Sequence, residues 1–89
     1  MSSQTKIVGT VKDVKGNCVA GLKVGDVFEV SGAELKGRVC PAAFNSIWAQ
    51  IYAMKYGVVF PWAQPDGSAL VCCPDPKNLV TFELRSVPR

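Results

Sequence analysis

The spacing of apolar residues predicts a single helix, from Cys40 to Gly57. Its apolar residues recur at i, i+3, i+4 and i+7, the spacing of one buried helical face: Phe44, Ile47, Trp48 and Ile51. Pro41 suits the first helical position, where its missing N–H costs nothing, and Gly57 suits a left-handed residue just past the end. Both ends of the helix are therefore marked in the sequence.

Four strands are predicted around this helix. They are the β-branched segment 5–14, the alternating segment 27–32, the apolar run 69–73 and the alternating segment 79–85. We expect Gly9 to be a bulge or a close-approach point in the first strand. Segment 31–39 is expected to be a connection, and segment 85–89 a frayed tail. The predicted fold class is α+β, in the order β-β-α-β-β, with a small, mainly antiparallel sheet or open barrel packed on the helix.

Composition and charge narrow the range of functions. The 89 residues are 48% hydrophobic, which fits one folded domain spanning residues 1–89. The apolar runs are too short to span a bilayer and the sequence MSSQTK at the start is not a signal segment, so we expect a cytoplasmic protein without a membrane partner. The net charge of +3 is spread along the chain. Because no basic run forms, we expect no nucleic-acid partner.

The helix is unusual on the side opposite its predicted buried face. That side carries few charges and small or uncharged residues: Ala42, Asn45, Ala49, Gln50 and Ala53. A helix face exposed to solvent usually carries more charge. The pattern predicts a homo-oligomer formed through this face, and the alternative is a small, uncharged but solvated face.

Four cysteines carry the candidate chemistry: Cys18, Cys40, Cys72 and Cys73. The chain has no histidine, which excludes Ser–His and Cys–His nucleophile pairs and every zinc site that needs imidazole. In a reducing compartment, cysteines are more often buried, metal-bound or reactive than paired in disulfides. Cys40 immediately precedes the helix, where unpaired N–H groups and the positive end of the helix dipole favour a thiolate. It is the expected catalytic residue if the chain is an enzyme.

The neighbouring cysteines at positions 72 and 73 are expected to have different roles. Adjacent strand residues point to opposite sides of a sheet, so only one of the two can face a given site. Cys73 lies at the strand end, beside the turn Pro74-Asp75-Pro76, where a polar site could open. We therefore assign Cys73 to the site and predict that Cys72 packs in the core.

Cys18, Cys40 and Cys73 together would form a soft ligand set for zinc or an iron–sulfur cluster. Asp75 could be a fourth, harder ligand. The chain has no CxxC pair, on which common structural zinc and cluster motifs rely. Two alternatives stay open. The first is a metal-free thiol enzyme or redox protein centred on Cys40, and the second is a non-enzymatic oligomerising or partner-binding module in which the cysteines are only packed.

The other polar and aromatic candidates are weaker. Asp26 is expected to bond the backbone of its own turn, and Glu29 and Glu83 occupy outward strand positions. Trp48 lies on the predicted buried stripe and is expected in the core. Trp62, in the sequence FPW, is the candidate pocket wall, within a loop that Phe60 and Trp62 are expected to pin to the domain.

Four pieces of the sequence, KGNCVAGLKVGDVFEV, GRVCPAAFNSIWAQIYAMKYG, VFPW and CCPDPKNLVTFEL, resemble the TIGR04076 family of small bacterial and archaeal proteins. The resemblance covers nearly the whole chain. The family's motif cysteines fall on Cys18, Cys40 and Cys73, and its pattern requires no cysteine at position 72. The resemblance therefore implies that those three cysteines act together, and it implies no particular reaction.

Overall fold

Five strands and one helix make up the part of the chain that the structure describes. The structure is a computed structural model, and it describes residues 5–18 and 20–88. In chain order the elements are β1 (Thr5–Val14), β2 (Val27–Ser31), β3 (Glu34–Gly37), α1 (Pro41–Lys55), β4 (Ala69–Cys72) and β5 (Val80–Pro88). Within these ranges no helix is long and apolar enough to cross a bilayer.

The strands form one open antiparallel sheet in the order β3-β2-β1-β5-β4. The helix packs on one face of this sheet, which we call the covered face, and the other side is the open face. The predicted class, a small α+β sheet on one helix, is confirmed. The sheet is not closed, because β3 and β4 are edge strands that do not meet.

Two segments differ from the prediction. The expected connection 31–39 contains β3, which pairs with β2 through the two-residue turn Gly32–Ala33. Gly32 permits this tight turn because its φ is 60°, a value that L side chains rarely adopt. The expected frayed tail is also wrong for residues 85–88, which continue β5 because they pair with the start of β1, and residue 89 lies outside the described residues.

The core lies between the covered face and α1. Its buried side chains come from four strands, the helix and the loop before β2: Ile7, Val11, Leu22, Phe28, Val30, Ala43, Ile47, Ile51, Met54, Ala69, Val80, Phe82 and Leu84. Gly9 is a close-approach point, as predicted, since a Cβ there would overlap the Phe28 ring. The Phe28 side chain therefore occupies the space above β1 that any larger residue at position 9 would need.

The helix has the predicted ends but buries a different stripe. It begins at Pro41 with Cys40 as N-cap, and Gly57 follows it with φ 89°. Its buried residues are Ala43, Ile47, Ile51 and Met54. The prediction that Trp48 is a core residue is wrong, since its side chain is 38% exposed. Ala43 and Met54 complete the buried stripe instead, and the aromatic residues lie one step around the helix.

Those aromatic residues form a row along the flank of α1. Their rings contact one another at i, i+4 spacing, with centroids 5.1 to 5.7 Å apart: Phe44, Trp48, Tyr52 and Tyr56. Each ring covers part of the next, which removes apolar surface from water, and Phe44 also contacts the buried Phe28 ring. We call this set the aromatic row.

Candidate functional site

Three of the four cysteines line one recess of about 140 Å³ at the start of α1. They arrive from different parts of the chain, and all three also pack against the core. The lining is mostly apolar and comprises Cys18, Ala20, Leu22, Cys40, Ala42, Ala43, Cys73, Pro74, Asp75, Asn78 and Val80. We call it the cysteine recess. It contains the three cysteines that the sequence assigned to one site.

Cys40 reaches the recess from the N-cap position of α1. Its backbone is extended, with φ −72° and ψ 136°, and its carbonyl oxygen accepts the first helical hydrogen bond from the Phe44 N–H at 2.9 Å. Its side chain makes no capping hydrogen bond. The half-buried thiol is therefore not committed to the helix end and is available to the recess.

Cys73 is held where β4 ends. Its N–H donates to the Val80 carbonyl at 3.0 Å, and its Sγ accepts from the Val80 N–H at 3.2 Å. The Sγ–H can also donate to the Asn78 carbonyl, 3.7 Å away. These contacts close the turn of residues 74–79 on itself and fix the half-buried sulfur at the mouth of the recess.

Cys18 follows a turn that docks directly against the turn after Cys73. The Lys15 N–H donates to the Leu79 carbonyl at 2.8 Å, and the Asn17 N–H donates to the Asn78 Oδ1 at 2.9 Å. Gly16 permits this approach, since a Cβ there would lie 2.6 Å from the Lys77 carbonyl oxygen. The turn-to-turn contact brings Cys18 to the recess.

Asp75 lines the recess, but its carboxylate already holds its own turn. Oδ1 accepts from the Lys77 N–H at 3.0 Å and the Asn78 N–H at 3.2 Å, and Oδ2 accepts from the Asn78 side-chain amide at 3.2 Å. These hydrogen bonds, that from Lys77 first, lower the pKa of Asp75 below its ordinary value. Most of the acceptor capacity of the Asp75 carboxylate is therefore used by contacts that shape its turn.

Asn78 is a site residue that sequence reasoning missed. Its carbonyl faces the Cys73 thiol, its Oδ1 accepts from Asn17, and its Nδ2 donates to Asp75. One side chain therefore ties the turn before Cys18 to the turn after Cys73. The available signal was the sequence PDPKN, in which an Asn closes a turn that an Asp begins.

Cys72 is separate from the other three cysteines, as predicted, but it is not packed. It pairs with Thr81 across the β4–β5 ladder and is exposed. The predicted core position is therefore wrong. Strand alternation places Cys72 on the open face, which has no helix to bury it.

Trp62 is not a wall of the cysteine recess. It stacks on Phe60 with ring centroids 4.7 Å apart and planes 6° from parallel, and it is 59% exposed. Its loop follows the C-terminal end of α1, and a 15-residue helix separates that end from Cys40 by about 22 Å. Phe60 is half-buried against the core and pins the loop as predicted, with Trp62 resting on it.

The donor set suits a soft metal, although the side chains do not form a ready-made metal site. Among the described residues, no three cysteine, aspartate or glutamate side chains form a group that could hold a metal ion as they stand. A cysteine side chain places its sulfur through one torsion. Coordination by the recess would therefore require the sulfurs to turn toward a common point.

Comparison with known proteins adds no relative. No family model, no curated protein and no solved structure matches the chain.

Proposed function

We propose that Cys18, Cys40 and Cys73 act together as thiolate ligands of a soft metal ion, such as zinc, or of an iron–sulfur cluster. The observation that carries the proposal is their shared position around one small recess, although they are far apart in the sequence. The fourth cysteine lies on the other face of the sheet. The resemblance to the TIGR04076 family, whose motif cysteines match the same three, supports the same grouping.

The chemistry of the recess supports a cation. Three thiolates in one apolar space repel one another strongly, because the surroundings screen charge poorly. A bound cation relieves that repulsion and favours loss of the thiol protons. A tetrahedral ion would need a fourth ligand, and since both Asp75 oxygens hold their turn, we favour a water or another exogenous ligand over Asp75.

A reducing compartment fits this function, and we place the protein in the cytoplasm. All four cysteines are free thiols. In an oxidising compartment, exposed or half-buried thiols would tend to be captured as disulfides.

Metal content tests the proposal. We would purify the protein without oxygen and measure zinc and iron in the wild type, in Cys72→Ser and in the triple replacement of Cys18, Cys40 and Cys73 by Ser. We expect bound metal in the wild type and in the Cys72→Ser control, and none in the triple variant. A folded wild type with less than about a tenth of an equivalent of metal would contradict the proposal.

A second candidate function is metal-free thiol–disulfide exchange centred on Cys40. It is favoured by the uncapped Cys40 thiol, with two further thiols lining the same recess. Cys40 would attack a substrate disulfide and release one thiol. Cys18 or Cys73 would then attack the mixed disulfide and release the second thiol, leaving a protein disulfide.

Alkylation rates test this second function. We expect iodoacetamide to modify Cys40 faster than Cys72, because this function requires Cys40 to be the attacking nucleophile. Cys72 is the matched internal control, since it is the more exposed of the two. Equal rates, or a faster Cys72, would contradict a reactive Cys40.

A further inference from the structure

The β3 edge of the sheet has an unused set of backbone hydrogen-bonding groups. Among residues 5–18 and 20–88, β3 pairs only with β2, and all four residues of β3 are exposed. A two-residue turn makes Ser31 and Glu34 a hydrogen-bonded pair, so the next residue, Leu35, directs its N–H and C=O away from β2. These groups can accept another strand.

The side chains of β3 divide between the two faces of the sheet. Leu35 pairs with buried Val30, so it lies on the covered face, and it is 47% exposed. It borders a groove of about 450 Å³ between β3 and the start of α1, whose lining is Leu35, Val39, Pro41, Phe44, Asn45 and Trp48. An apolar side chain of a strand added to the β3 edge could lie in this groove between Leu35 and Trp48.

Glu34 and Lys36 flank Leu35 and point to the open face, where both line one shallow pocket. Across residues 5–18 and 20–88, neither side chain belongs to an ion pair. The order acid, leucine, base is self-complementary. When the same three residues run antiparallel to themselves, each acid lies opposite a base and the two leucines meet.

We propose that a second copy of this chain binds the β3 edge antiparallel to the first. The two-fold axis passes between the two copies of Leu35, which exchange backbone hydrogen bonds, and Glu34 of each copy faces Lys36 of the other. Such an interface is isologous and closes as a dimer. The two five-stranded sheets become one continuous sheet with both helices on the same face.

The proposed interface also accounts for part of the exposed apolar surface. Each Leu35 projects on the covered face toward the groove of the other copy, where it would cover Trp48. In this dimer the two copies contact each other at the β3 edge, beside the aromatic row. The charge-poor helix face around Ala49 would remain free in the dimer.

Charge reversal tests the dimer by analytical ultracentrifugation. Glu34→Lys gives two bases on β3 and Lys36→Glu gives two acids, so each variant places like charges opposite one another when it pairs with itself. We expect each to weaken self-association at least about tenfold. An equimolar mixture of the two variants places every acid opposite a base and should associate again. Lys15→Glu, which reverses an exposed charge away from β3, should behave as the wild type.

Amide hydrogen exchange gives a second readout, because the Leu35 N–H should exchange more slowly as the protein concentration rises. A wild type that stays monomeric at millimolar concentration would overturn the proposal and leave the edge to an extended peptide of another protein. Unchanged association in both reversal variants, or a mixture no tighter than either alone, would also overturn it.

Discussion

The two faces of the sheet differ in the burial of side chains from the same strands. On the covered face, Phe82 and Leu84 are buried against α1. On the open face, the residue between them, Glu83, lies 3.1 Å from the Arg85 guanidinium and 4.0 Å from Lys12. The difference extends to the cysteines, since Cys73 joins the recess and Cys72 faces solvent. Alternation along a strand, more than residue type, decides which thiol joins the recess.

The largest expected effect is the difference in stability between substitutions at two neighbouring residues of β5 that lie on opposite faces of the sheet. Phe82→Ala should lower the free energy of unfolding by about 3–5 kcal/mol, because it removes a fully buried ring and leaves a cavity. Thr81→Ala, on the open face, should cost less than about 1 kcal/mol. Urea denaturation measures both, and similar losses for the two variants would contradict the assignment of faces.

The next effect concerns the close approach between β1 and β2 on the covered face. Gly9→Ala should cost about 1–3 kcal/mol, since its Cβ would overlap the Phe28 ring. The paired variant Gly9→Ala with Phe28→Leu should lose less than the sum of the two single variants, because the smaller side chain frees the space. Strict additivity in denaturation experiments would show that the contact is not the cause.

Removing the side chain of Asn78 should weaken the contact between the turn before Cys18 and the turn after Cys73. Asn78→Ala leaves the Asn17 N–H without its acceptor and Asp75 without one donor, and because both hydrogen bonds are exposed the cost should be about 1 kcal/mol. If the recess binds a metal, its affinity should fall about tenfold or more, as for other residues that orient ligands. The control Asn45→Ala changes an exposed helix residue and should stay within about 0.5 kcal/mol of the wild type. Equal behaviour of the two variants would remove Asn78 from the site.

The smallest expected effect is the acid sensitivity of the polar cluster around Arg85. Hydrogen bonds from Ser68, helped by Arg85 at 2.9 Å, lower the pKa of Asp66 from 3.8 to about 2. The unfolded chain therefore takes up this proton first, and stability should fall as the pH drops from about 4 toward 2. Asp66→Asn should flatten that part of the curve, measured as thermal midpoints between pH 4.5 and 2.5. An unchanged slope in Asp66→Asn would contradict the assignment.

Local patterns were sufficient for most of the fold. Pro41 and Gly57 marked the helix ends, and the alternation of Phe82 and Leu84 with polar residues marked β5. β3 was missed because four residues with one apolar side chain carry little periodicity. Trp48 was placed in the core because Ile47 and Ile51 fit two adjacent helical stripes, one with Trp48 and one with Ala43 and Met54. Only the packing of the helix on the sheet shows that the second stripe is buried.

The grouping of Cys18, Cys40 and Cys73 could be predicted because each adjoins a turn or an element end, where a polar site can open. The role of Asn78 could not, because it depends on two turns meeting at the end of the β1–β5 pair, which no local pattern encodes. The exposure of Cys72 required knowing that only one face of the sheet is covered. Sequence reasoning therefore identified the three cysteines that line the recess, and it missed the side chain that connects two of their turns.

Titration of the metal-free protein with Cd²⁺, followed by sulfur-to-cadmium charge-transfer absorption, tests the central claim most directly. We predict saturation at one equivalent, with the intensity of three thiolates, in the wild type and in Cys72→Ser. The intensity should fall stepwise as Cys18, Cys40 and Cys73 are replaced by Ser. An absorption that survives the triple replacement, or that Cys72→Ser reduces as much as Cys40→Ser does, would contradict a single site built from these three thiols.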